Sequence, residues 1–408
     1  MTAESLGLEN LRMITVPHPM SDITIAEVHS RAEDAVQEII EKATTTSSEK
    51  EAGFPILRPY PAEIIKVKAY DDVFPTFYNR GWTDGLPVIP PTRDKVDEML
   101  KYTNHAPDEV VAKLPPRYGV ATVERIAINA VMAGCRCEYF PVILAAVEAI
   151  ADFNSNMAGW ATTTGPNSPL IIINGPIRKE LDINSGINAL GTGRQANATI
   201  GRAINLIVRN IGGAIPGTTD MTTFGAGWEF AACVGENEEE LPEAWLPLNE
   251  ELGFAKGTNT VTVKAINSQV DVFFHHTSEF KQVLDTIAAG IAGISSLGVV
   301  TGMQVLVAFN PEAAQLAEKD GWDKEHIRQY IFEQARLPLK TWRRLGDNIV
   351  ASDLMPEAKT ESDDYMMRTV PKPEDILIFV LGGPGKHSVW WPGGHGLAVI
   401  KDIDKWRS

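Results

Sequence analysis

Two of the chain's three cysteines, Cys135 and Cys137, stand within three residues of each other in the run Ile128-Asn129-Ala130-Val131-Met132-Ala133-Gly134-Cys135-Arg136-Cys137-Glu138-Tyr139-Phe140-Pro141. From Thr122 the apolar residues recur at helical spacing and stop at Gly134, a residue suited to a left-handed helix end. Pro141 then opens a second apolar helix. The cysteines thus fall in a tight turn just ahead of a helix N-terminus. Free backbone N–H groups and the helix dipole there favour a thiolate, and Arg136 adds a positive charge. The pattern predicts Cys135 as the most reactive thiol, with a depressed pKa and nucleophilic chemistry. The bland alternative is a small hydrophobe buried under the turn. Cys137 reads as a neighbour, and Cys233 as part of a core strand. Residues two apart do not suit a disulfide. Glu138 reads as a base beside the turn or as a first-turn glutamate favoured by the dipole.

Two further segments carry candidates. Gly191-Thr192-Gly193-Arg194 precedes a helix and resembles an anion cradle, with Gly193, Arg194 and Thr199 supplying donors. It is neither a Walker A loop nor a dinucleotide fingerprint. Gly382-Gly383-Pro384-Gly385-Lys386-His387-Ser388 directly follows a strand, where α/β proteins place ligand loops. His387 there is the candidate general acid or base. Lys386 and Asn129 complete the expected substrate-binding set. His275 and His276 are adjacent, so on a strand they point to opposite faces and make a poor chelating pair. No cofactor is identified; a metal held by Cys135, Cys137 and His387 is the alternative chemistry.

The elements that position these residues alternate between strand and helix. Strands are predicted at 170–176, 260–266, 304–309 and 376–381. Helices are predicted at 93–102 with Thr92 as cap, at 200–210, at 280–292, from the Asn310-Pro311 cap to Lys319, and from Asp323 to Arg336. The fold class is α/β, with mixed sheets flanked by helices and an N-terminal strand–helix arm. Residues 1–52 form that arm and its linker, with a strand over 11–19 and a helix over 21–42. Residues 53–258 form a central α/β domain with the cysteine turn, and 259–408 a C-terminal α/β part. The stretch 358–364 reads as polar and mobile.

Composition narrows the function. With 408 residues, 44% hydrophobic, 22% charged and a net charge of −16, the chain has ample core and no basic surface for nucleic acid or anionic membrane. No apolar run reaches membrane-spanning length. The first residues lack the basic and apolar regions of a signal peptide. Cysteine usage fits a reducing cytoplasm.

Three ordered motifs carry a resemblance. Trp82-Thr83-Asp84-Gly85-Leu86-Pro87-Val88-Ile89-Pro90-Pro91-Thr92, Ile128 to Cys135, and Gly382 to His387 together resemble a bacterial family associated with, or fused to, the UGSC (seleno)protein domain, over residues 75–400. Members have Arg-Pro after the motif cysteine, whereas this chain has Arg136-Cys137. Cys135 is then the family position and Cys137 an addition. Residues 1–45, with Val16-Pro17-His18-Pro19, are similar to the tail of the UGSC domain itself, without its selenocysteine or cysteine motif. The resemblance implies thiol or selenol chemistry shared between this chain and a partner, and supplies no substrate.

The expected function is therefore a subunit of a thiol-dependent lyase or oxidoreductase acting on a small polar or anionic molecule. Cys135 attacks, Arg194 holds the anionic end, and His387 or Glu138 moves protons. All three segments are expected in one pocket. The partner is a UGSC-like subunit or a second copy of the chain. The alternatives are a metal-dependent lyase or hydrolase and a non-catalytic scaffold subunit.

Overall fold

The computed structural model describes residues 14, 24–44, 64–293, 304–344 and 357–407. The strand expected over 11–19 falls, but for Ile14, outside them, as does the linker after Thr44. The chain divides into two compact units, 1–60 and 61–408. In the first, α1 (Ile25–Thr44) is a 20-residue helix with no buried residue.

The second unit is α/β. Its longer helices are α2 (Val73–Asn79), α3 (Arg93–Leu100), α4 (Val123–Ala133), α5 (Phe140–Ala151), α6 (Gln195–Ile207), α7 (Phe280–Ala292), α8 (Pro311–Lys319) and α9 (Lys324–Gln334). Its strands are β1 (Val110–Leu114), β2 (Gly119–Thr122), β3 (Ser168–Asn174), β4 (Cys233–Gly235), β5 (Thr260–Ile266), β6 (Val270–Phe273), β7 (Val305–Phe309), β8 (Arg336–Pro338), β9 (Met366–Arg368), β10 (Ile376–Val380), β11 (His387–Pro392) and β12 (Val399–Asp402). Two mixed four-stranded sheets dominate, in the orders β12-β5-β3-β4 and β10-β7-β11-β6. Strands β3 and β4 are parallel, as are β7 and β10. Because β5 pairs with β3 and β12 pairs with β5, strands from both sides of residue 258 share one sheet.

Side-chain alternation along the strands sets the layers. Ile171, Ile173, Val261, Val263 and Ala265 face a core built with α4, α5 and α6. Val305, Val307, Phe309, Ile376, Ile378 and Val380 face a second core built with α7, α8 and α9. The opposite faces, with Leu170, Ile172, Leu306, Ala308, Phe379 and Trp391, meet in a third. There Phe379 and Trp391 stack at 5.9 Å. The result is four layers: helices, sheet, sheet, helices. Strands buried on both faces read as continuous apolar runs, which is why β3, β7 and β10 were visible in the sequence.

Side-chain caps start three of the helices. The Thr122 hydroxyl accepts from Arg125 N, Asn310 from Ala313 N, and Asp323 from His326 N, while Gly134 takes the left-handed position at φ 86°. Thr92 occupies the cap of α3 but its side chain makes no cap bond. The polar stretch 358–364 carries local structure and exposed ion pairs. Residues 357–360 form a helical turn, Lys340 Nζ lies 2.7 Å from Asp364, and Arg343 pairs with Asp363. Among the described residues no helix is long and apolar enough to cross a membrane.

One buried charge stands out. Lys264, on the inter-sheet face of β5, is 1% exposed. Its Nζ donates to the carbonyls of Ala265 at 2.9 Å and Gly394 at 2.8 Å. Burial pushes its pKa from 10.5 down to about 7. The unfolded chain therefore binds this proton more tightly than the folded one. Below about pH 7 both states are protonated and the full burial cost is present. Between about 7 and 10.5 the folded lysine is neutral and stability rises with pH. Lys264→Met is expected to compare best with wild type at pH 7 and to lose that advantage by pH 10, read as Tm at both values. A pH-independent difference would contradict the buried-charge account.

Candidate functional site

The cysteine turn folds as its sequence predicts but has a different electrostatic character. Gly134 ends α4 and the Cys135 amide returns to Ala130 O at 3.0 Å. The turn then docks on the first turns of α6: Cys135 Sγ donates to Thr199 O at 3.2 Å, and Gln195 Nε2 donates to Gly134 O at 3.2 Å. A carbonyl only accepts, so this contact retains the thiol proton. Cys135 is partly exposed at the turn, and desolvation of its thiol pushes it up to about 12, opposite in direction to the expected depressed pKa. Arg202 acts in the opposite direction, but its guanidinium is committed to Asp84 at 2.7 and 2.9 Å.

Arg136 does not serve the thiol either. It pairs with Glu138 at 3.1 and 3.3 Å and lies 5.7 Å from the Tyr139 ring centre. That hydrogen bond holds the Glu138 carboxyl below its usual range, so Glu138 is a weak base. Cys137 is half-buried, and burial raises its pKa as well. Both thiols line a cavity of about 340 Å³ with Ile89, Asp94, Lys95 and Glu98. Cys233 is buried in β4.

The proposed anion cradle is otherwise engaged. Arg194 Nη1 bonds both carboxylate oxygens of Asp182, at 3.0 and 2.9 Å, on an exposed surface. Thr199 Oγ1 bonds back to Gln195 O at 2.8 Å. Gly193 takes φ 103°, as a tight turn requires. Asn129 is buried, donating to Arg125 O and accepting from Asn210 Nδ2, which in turn reaches Trp82 O. That chain ties α4 to the tryptophan–aspartate motif.

The glycine-rich loop at 382–386 forms a second cavity of about 360 Å³ with Asn188, Gly191, Asn310, Asp271 and His387. It lies past the carboxyl ends of the parallel strands β7 and β10, where open α/β sheets place ligands. The expected 184–199 loop thus serves both places: its residues 188–191 line this cavity with the 382–388 loop, while Gln195 and Thr199 bond the cysteine turn. The cavity lined by Cys135 shares no lining residue with this one. The backbone amides of Gly385 and Lys386 donate to Glu312 Oε2 at 3.0 and 2.7 Å. This nest holds the chain's own carboxylate.

His387 is the best-built group in that cavity. Its Nδ1 lies 3.0 Å from both oxygens of Asp271, and its Nε2 lies 3.0 Å from His275 Nε2. The register explains the cluster. His387 sits opposite Phe273 in the β11–β6 pair; Asp271 and Phe273 share one face of β6, and His275 reaches His387 from the turn that follows the strand. His275 and His276 lie in a turn rather than on a strand, and the partner of His275 is His387, from the neighbouring strand. The alternation in Asp271-Val272-Phe273 carried part of that signal, but β11 was not foreseen. The set Cys135, Cys137 and His387 is not assembled, since its members line different cavities.

Residues 1–45 match the UGSC family. No curated protein and no solved structure matches the chain.

Proposed function

We propose that the chain is an enzyme subunit acting by proton transfer on a small polar molecule in the cavity bounded by Asn188–Gly191 and Gly382–Gly385. The observation that carries this reading is the Asp271–His387–His275 line. A carboxylate only accepts, so Asp271 keeps the proton on His387 Nδ1 and leaves Nε2 with a bare lone pair. His275 Nε2–H donates to that lone pair at rest. When His387 takes a proton from substrate, Asp271 faces the resulting imidazolium and stabilises it. Arg194, Glu138 and Asn129 have no part in this chemistry. The reaction class it supports best is proton abstraction with lyase-type cleavage.

The test needs no known substrate. Long-range 1H–15N spectra of labelled protein are expected to show His387 with Nδ1 protonated and Nε2 bare near neutral pH. The opposite tautomer removes the base and ends the reading. Once a substrate is found by thermal-shift screening, His387→Gln should lower kcat by about 10²–10⁴.

A thiolate route through Cys135 with a UGSC-like partner is the second reading. It is favoured by the cavity that Cys135 and Cys137 share and by the family match at residues 1–45.

A further inference from the structure

We propose that His275 and His387 together bind one divalent transition-metal ion of the zinc class through their Nε2 atoms. This rests on the reading that the His387 cavity is the reactive site, and it replaces the hydrogen bond between the two rings with a metal ion.

The spacing is the first argument. Nε2 to Nε2 is 3.0 Å, with ring centres 5.0 Å apart and planes nearly perpendicular. Two imidazole nitrogens at about 2.0–2.1 Å from a tetrahedral zinc stand about 3.3 Å apart. A shift of a few tenths of an ångström separates the two arrangements. The His387 side chain, about half exposed, has room to make it.

Asp271 is the second argument. A metal-bound histidine characteristically donates its other ring N–H to a carboxylate, which fixes the tautomer and strengthens the ligand. His387 has that partner already. Phe273, its ring centre 6.0 Å from His275 and 6.5 Å from His387, supplies an apolar wall.

Protons balance simply. Binding needs both Nε2 lone pairs, and Asp271 already leaves that of His387 bare. His275 gives up its Nε2 proton and takes one from solvent on Nδ1, so a neutral pair binds metal with no net release. A singly protonated pair releases one proton. Among the described residues no group of three or more His, Cys, Asp or Glu side chains is arranged for a metal. Two protein ligands therefore leave the other positions to water or to a polar substrate in the adjoining cavity. With both Nε2 lone pairs on the ion, a bound water, which is a stronger acid than bulk water, would carry the proton in place of the His387 imidazole.

The test uses the tag-free full chain, stripped with chelator and titrated with Zn²⁺ by calorimetry and with Co²⁺ by visible absorption. One equivalent per chain is expected. His275→Ala and His387→Ala should each abolish it, Asp271→Asn should weaken it about tenfold or more, and Cys135→Ser/Cys137→Ser should leave it intact. Circular dichroism and Tm establish that each variant is folded. No saturable binding by wild type, binding that survives the double histidine variant, or binding lost with the cysteines would each overturn the proposal. The His387 tautomer, measured on metal-free protein, is a separate result. It can uphold the proton-transfer reading when the metal fails, and it can fail when the metal binds.

Discussion

Iodoacetamide is expected to leave Cys135 almost untouched in the native protein at pH 7.5. Only a thiolate reacts, and an ordinary cysteine near pKa 8.5 is about one-tenth ionised at that pH. With burial holding Cys135 at about 12, the reactive fraction falls by roughly a thousandfold or more. Cys135 and Cys137 are both partly exposed, so the order between them rests on desolvation and Thr199 O holding the Cys135 proton: Cys137 should label ahead of it, and buried Cys233 last. Mass spectrometry of timed aliquots at pH 7.5 and 9.5, against a denatured control, reads the order directly. Cys135 labelling as fast in the native as in the denatured protein would sink this expectation. Labelling faster than the denatured control at pH 7.5 would restore the activated-thiol reading.

The reversal at Cys135 shows what the sequence could and could not disclose. The helix, its glycine stop and the proline-led second helix are local features, governed by capping and periodicity, and they were legible. The thiol's environment is not local. It depends on Thr199 O and Arg202, some 65 residues further on, and on Asp84 drawing the Arg202 charge away. Arg136 looked like an activator because it is adjacent, but in three dimensions Glu138 claims it.

The histidine site shows the complementary case. His387 was legible as a chemistry-bearing residue after a strand and a glycine loop. Asp271 and His275 were not, because pairing β11 against β6 joins segments more than 100 residues apart. Short strands such as β6 and β11 carry weak patterns, and their register decides which side chains meet. The buried strands β3, β5, β7 and β10 were read nearly to their ends, yet nothing local indicated that two sheets would pack face to face.

Deleting residues 1–45 is expected to change the protein's state of assembly. Helix α1 presents Ile25 at 76%, Val36 at 45%, Ile39 at 47% and Ile40 at 50% exposure. With Val28 and Ala32 these follow helical spacing, so the apolar residues form a stripe rather than a scatter. Such a stripe left in water promotes association, and a monomer gains nothing by keeping it exposed. The match of residues 1–45 to the UGSC family favours a specific occupant, a UGSC-type polypeptide whose fold this segment completes, with a second copy of the chain as the other outcome. An interface that buries such an arm as part of an obligate assembly exceeds about 2,000 Å² in total. Light scattering on the full chain, alone and mixed with a UGSC protein, against the 46–408 truncation reads the result. The truncated chain should lose the larger species, and Ile39→Glu/Ile40→Glu in the full chain should lose it too without unfolding the body. If mass and solubility are the same with and without the arm, and the UGSC protein binds neither form, the arm has no part in assembly. Binding of the UGSC protein to the truncation alone would place the interface on the 61–408 body instead.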